Sequence, residues 1–158
     1  MNAHQAIVSR WLTSIGNELG HTLSLGEDGH CILFCGDDLR CTVEVPDGEE
    51  TETVYVYMPM MRLPDDESAQ LKLAKGALEI NMFGLATGGS NLSLDSRSQS
   101  IVLTFAAGLE ILEEDVFKQM LSDFLDIGVD VYEQLKKVTD FQTPQEIDNT
   151  PAAHAIRV

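Results

Sequence analysis

Apolar side chains recur at Val116, Met120, Phe124, Ile127, Val131 and Leu135, at steps of four, four, three, four and four. Only an α-helix brings residues at that spacing onto one face, so the chain commits to a helix of about seven turns over residues 113–138. The acidic run Glu113-Glu114-Asp115 stands where a helix N-terminus attracts negative charge. No other periodic signal in the chain is as strong.

Two more helices are expected. At the N-terminus, Ala3, Ile7, Trp11 and Ile15 form one stripe and Val8, Leu12 and Leu19 an adjoining one, before Gly20 supplies a stop. In the middle, Pro64-Asp65-Asp66-Glu67-Ser68 is an acidic helix start, Leu71, Ala74, Leu78 and Met82 mark a stripe, and Gly88-Gly89 ends it. Between the first and middle helices the period falls to two. Leu23 and Leu25 alternate with polar neighbours; then come His30–Cys35, residues 39–45 and residues 53–60, joined by turns at residues 26–29 and 36–38 and by an acidic loop at 46–52. Counting the short stretch around Leu23, four extended segments follow the first helix, and their short connections imply antiparallel pairing. A further sheet segment follows the middle helix, with Asn91–Asp95, a turn at 96–98 and an alternating strand through Ile101, Leu103 and Phe105. From Asp140 the composition shifts to Gln, Thr, Pro and Asn without apolar period. One domain at residues 1–139 and a flexible tail at 140–158 are therefore expected.

Composition narrows the function. The 158 residues hold 26 Asp and Glu against 10 Lys and Arg, a formal charge of −16, and the basic residues form no cluster that could replace counterions on a polyanion. Nucleic acid and anionic membrane are excluded as partners. No apolar run approaches the ~20 residues of a membrane span, and MNAHQAIVSRW lacks the basic start and apolar stretch of a signal peptide, so the cytosol is the expected location.

No catalytic constellation is present: no phosphate loop, no nucleophile elbow and no paired His at helix spacing. No cofactor and no metal are expected, because Asp65, Asp66 and Glu67 are explained by helix capping. Cys31, Cys35 and Cys41 sit in apolar strand-like segments and read as buried residues; the rival reading makes one a nucleophile with His21 or His30 as base. On residues 53–60, Tyr55 and Tyr57 point one way and Val54, Val56 and Met58 the other. Either both sets are buried in one fold, or one faces a partner.

The helix at residues 73–81 (LAKGALEIN), then Gly88-Gly89, Asn91-Leu92-Ser93-Leu94, Ser100-Ile101-Val102-Leu103-Thr104-Phe105 and an acidic start to a long closing helix together resemble the class I type III secretion chaperones, the Tir chaperone family. The first helix and its stop near Gly20 fit as well, and the resemblance covers about residues 4–139; the loop at 46–52 and the tail do not match it. It implies an α+β fold, an antiparallel sheet flanked by three helices in the order α-β-β-β-α-β-β-α, and a homodimer. The dimer contact would be made by the middle helix, residues 65–84, through Leu71, Ala74, Leu78 and Met82, with Leu92 and Leu94 from a neighbouring strand. The implied client is the extended N-terminal region of a secreted effector, kept soluble in the bacterial cytoplasm and presented to the export apparatus and its secretion ATPase. Its pockets would be lined by Trp11, Leu12 and Ile15 from the first helix, which fit a core position equally well, and by Leu23, Leu25, Ile32 and Phe34 from the early strands. The alternative is a regulatory interaction protein of the same fold that binds another chaperone or a transcriptional regulator.

Overall fold

The computed structural model describes residues 2–36, 38–48 and 52–140. Its elements run α1 (Ala3–Leu19), β1 (His30–Cys35), β2 (Leu39–Glu44), β3 (Thr53–Arg62), α2 (Glu67–Ile80), a 3₁₀ turn at Met82–Gly84, β4 (Asn91–Asp95), β5 (Ser100–Gly108) and α3 (Glu114–Asp140). The five strands make a single antiparallel sheet in the order β1-β2-β3-β5-β4, so the later strand pair joins the earlier three through β3 and β5. The α+β architecture expected from the sequence is observed, with all three helices in place.

Caps set the helix starts. The Asn2 side chain accepts the Gln5 N–H, and the Gln5 side chain answers to the Asn2 backbone. Gln5 then donates its remaining amide to Val45 C=O at 3.0 Å, tying α1 to the sheet. The Asp66 carboxylate accepts the Ala69 N–H at 2.8 Å at the head of α2.

One face of the sheet carries the core. Cys31, Leu39, Cys41, Val43, Val54, Val56, Met58, Met60, Leu92, Ile101 and Leu103 share one buried cluster with residues from all three helices. Trp11 meets Phe117 with ring centroids 5.4 Å apart, joining α1 to α3. Gly128 lets α3 settle on β3, since a Cβ there would stand 2.8 Å from the Met58 sulfur.

Three expectations are corrected. The stretch around Leu23 and Leu25 is not a strand. After Gly20 the chain doubles back on α1, where Ser9 Oγ accepts the Leu25 N–H at 3.3 Å and Thr13 Oγ1 donates to Leu23 C=O at 3.2 Å. Gly16 permits the approach, because a Cβ there would lie 2.9 Å from Leu23 N. On α3 the buried line is Phe117, Leu121, Phe124, Gly128, Val131 and Leu135, while Val116 is exposed and Met120 and Ile127 are only half-buried. The apolar arc is wider than one stripe, and the core takes its other edge. On α1, Ile7 and Leu19 face solvent, and the buried set is Gln5, Val8, Trp11, Leu12, Ile15 and Gly16. The expected tail beyond Asp140 lies outside the described residues.

Candidate functional site: two uncovered apolar faces

Because side chains alternate along a strand, the sheet's second face carries Ile32 and Phe34 on β1, Tyr55, Tyr57 and Pro59 on β3, and Val102 and Thr104 on β5. Val102 is buried yet stands outside the core cluster, as a residue on the opposite face should. Tyr55, Tyr57, Pro59, Ser93, Val102 and Thr104 line a trough of about 480 Å³. Phe34 is 71% exposed and Ile32 54%. The Arg40 guanidinium sits 5.6 Å from the Phe34 ring centroid and supports it from the next strand.

Among the described residues, none pairs with the β1 edge where these side chains stand. His30 directs its N–H to Asp28 Oδ1 and its C=O to the Gly26 N–H, both away from β2. Backbone groups alternate sides along a strand, so Ile32 and Phe34 also aim their N–H and C=O away from β2. An incoming strand would meet backbone donors, acceptors and two apolar side chains at the same residues.

Polar groups border this face. His30 Nε2 lies 3.3 Å from Glu44 Oε2, and Tyr57 is hydrogen-bonded to the same carboxylate. Burial and then that carboxylate push the Tyr57 phenol up to about 12, so it stays neutral and donates.

The second face is on α2. Inside the protomer this helix buries Leu73, Gly76 and Ala77; the expected dimer stripe Leu71, Ala74, Leu78 and Met82 points out, with Leu78 69% exposed. Phe83 and Leu85 extend it, Phe83 held at φ 60 in the left-handed region. Asn81 anchors this display, accepting the Leu92 N–H at 2.7 Å and donating to Leu92 C=O at 2.9 Å. Asn81→Ala strips Leu92 of both partners; the expected loss is about 1–3 kcal/mol, read from denaturant unfolding.

The candidate residues therefore divide. Ile32, Phe34, Leu71, Ala74, Leu78 and Leu94 are exposed, and Leu23 is half-buried. Trp11, Leu12, Ile15, Leu25 and Leu92 are spent in the protomer's own core and offer almost no surface to another chain. Tyr55, Tyr57, Pro59 and Val102 belong with Ile32 and Phe34. The strand alternation had already put the two tyrosines on one face, but only the sheet order shows that none of the described helices covers that face.

The thiols are built for packing. Cys31 and Cys41 are buried and Cys35 is half-buried, and burial raises all three above the ordinary thiol range, Cys41 furthest. His30 spends its ring nitrogens on Asp28 C=O and Glu44. Iodoacetamide is expected to spare Cys41 in the native chain, to react first at Cys35, and to label all three in urea, as mass spectrometry of the timed reaction would show. Among the described residues no three His, Cys, Asp or Glu converge as a metal site would, and no helix is long and apolar enough to cross a membrane.

The sequence profile of the Tir chaperone protein (CesT) family matches residues 10–130. A search of curated proteins returns no match. Among solved structures, the ExsC–ExsE complex aligns with a TM-score of 0.65 at 19% identity, over 85% of this chain and 97% of that one. The HopA1–SchA chaperone–effector complex aligns at 0.60 and 17% identity, over 89% and 98%. The heterodimeric ExoU–SpcU complex from the type III secretion system of Pseudomonas aeruginosa aligns at 0.57 and 15%, over 83% and 96%. At these identities the likeness to solved structures is one of fold.

Proposed function

Since this chain belongs to the Tir chaperone protein (CesT) family, we propose that it is a type III secretion chaperone, which holds the extended N-terminal region of a secreted effector soluble and competent for export. The observation that carries this reading is the open β1 edge with Ile32 and Phe34 beside it. A non-globular client gains backbone hydrogen bonds by adding a strand there and gains apolar burial by laying side chains on the bare sheet face. Ordering such a client costs entropy, so a long contact surface is required, and the trough along Tyr55, Tyr57 and Val102 continues it across the sheet. The work is binding, with no covalent step. A chaperone–effector complex in the shared fold, HopA1–SchA, supports the assignment of the client class.

The working unit in this proposal is a homodimer joined through α2, with Leu71, Ala74, Leu78 and Met82 packing against their symmetry mates and Leu94 beside them. It acts in the bacterial cytoplasm and delivers its client to the export apparatus, the secretion ATPase included. Co-expression with the N-terminal segment of an effector encoded nearby is the test. Co-purification of a soluble complex is the expected result, and recovery of a cytosolic regulator in place of any effector would overturn the client assignment.

A further inference from the structure

The edge strand carries opposite charges at its two ends. On β2, Cys41 and Val43 enter the core, so Arg40, Thr42 and Glu44 stand on the sheet's second face with His30, Ile32 and Phe34 of β1. The register sets Arg40 opposite Phe34, Thr42 opposite Ile32 and Glu44 opposite His30. At the Phe34 end the Arg40 guanidinium lies 5.6 Å from the ring centroid, which carries its charge over β1 toward the edge. Arg40 makes no ion pair among the described residues, and Asp38 in the neighbouring turn acts on Lys136 of α3. At the His30 end, Asp28 and Glu44 stand 3.5 and 3.3 Å from the two ring nitrogens, with the Asp28 side chain 74% exposed. Two carboxylates outweigh the ring even when it is protonated, so this end stays negative. The ends are four residues apart, ~13 Å along the strand, with Ile32 between them. Because His30 already spends its outward N–H on Asp28 and its outward C=O on the Gly26 N–H, an added strand finds its backbone partners at Ile32 and Phe34.

We propose that this polarity fixes the direction and register of the client strand, which runs antiparallel to β1 with an acidic side chain level with Phe34, an apolar one level with Ile32 and a basic one level with His30. The inference rests on the chaperone reading above and supplies the chemistry of the segment that docks. Alternate residues of an added strand share a face, so from N- to C-terminus the client reads acid, any residue, apolar, any residue, base. In that order the acid meets Arg40 and the base meets Asp28. The reverse order brings like charges together at both ends, which destabilises a cross-strand pair. Parallel addition would rescue the reverse order, but parallel pairing is slightly less stable, and every pair in this sheet is antiparallel. Charge here selects among alignments that the apolar contacts alone would tolerate.

The test uses the full chain and three synthetic peptides with blocked termini and one threonine-rich frame. Their centres are Glu-Thr-Ile-Thr-Lys, the reversed Lys-Thr-Ile-Thr-Glu and the neutral Gln-Thr-Ile-Thr-Gln. Binding is followed through the backbone amide signals of Ile32 and Phe34. At low ionic strength the acid-first peptide is expected to bind about tenfold more tightly than the reversed one. The gap is expected to close in high salt and in the double variant Arg40→Gln with Asp28→Asn, in which the asparagine oxygen still accepts the His30 N–H. An acid-first peptide that binds no more tightly than the reversed one, or a gap that survives the double variant, overturns the inference; binding of the neutral peptide at Ile32 and Phe34 then leaves the chaperone reading standing. No binding by any of the three removes strand addition at β1, and the inference falls with it.

Discussion

Leu78→Asp is expected to convert the proposed dimer into a protomer of 17.4 kDa. Leu78 is 69% exposed on the outer face of α2, with Leu71 and Met82 beside it in the helix stripe. In a two-fold contact each substitution enters twice, and each carboxylate would be taken out of water into an apolar contact, at a cost of several kcal/mol. Only three acids occur in residues 68–112, so little repulsion opposes the contact before the change, and the exposed Lys75 one turn back returns only about 0.2–0.5 kcal/mol to the new charge as a neighbour on the helix surface. The dissociation constant is expected to rise at least about a thousandfold, or about 4 kcal/mol. Gel filtration with light scattering at micromolar concentration reads the mass. In the isolated protomer Leu78 already faces water, so the substitution costs the helix only its propensity, about half a kcal/mol, and circular dichroism should be unchanged. Leu73→Asp is the contrasting case: it sits on the buried side of the same helix, and it should unfold the chain. A dimer that survives Leu78→Asp removes α2 from the interface.

Why α2 could be read in outline from the sequence, and α3 only in part, follows from what periodicity measures. A stripe at steps of three and four says that a helix has an apolar side; it does not say what covers that side. On α2 the visible stripe, Leu71 to Met82, is the outward one, and the core is reached through Leu73, Gly76 and Ala77, of which two are small and carry a weak apolar signal. On α3 the apolar arc is broad enough to hold two lines, and the line through Val116 and Met120 lies at the exposed edge rather than on the sheet. The same ambiguity governs the candidate site. Trp11, Leu12 and Ile15 could have served either a pocket or the core, and the Trp11–Phe117 contact, across more than a hundred residues of sequence, decided it. Ile32 and Phe34 were legible because β1 is apolar on both faces, which a strand covered on one side cannot bury. The segment at Leu23 was misread because three residues are too few to separate a strand from a chain laid along Ser9, Thr13 and Gly16.

The same edge geometry makes Ile32→Pro the sharpest test of how a client is held. Proline removes one N–H and fixes φ near −65°, and it is tolerated on an edge strand where that N–H faces outward. At Ile32 the N–H points away from β2, so the ladder to β2 keeps its bonds and the fold is expected to stand, with thermal unfolding close to that of the unsubstituted chain. Leu33→Pro, one residue on, removes a donor that faces β2 and should destabilise the sheet. An added client strand, by contrast, would lose its central hydrogen bond and meet a ring in its path. Client affinity is therefore expected to fall by a factor of about ten from Ile32→Pro, the worth of one well-made hydrogen bond, and by about a hundred or more when Phe34→Asp also removes the most exposed anchor on the strand. Isothermal titration with the effector segment reads both, and light scattering checks that the dimer persists. Loss with Phe34→Asp alone, and full affinity with Ile32→Pro, would show that the client lies on the bare face as a packed segment without joining the sheet.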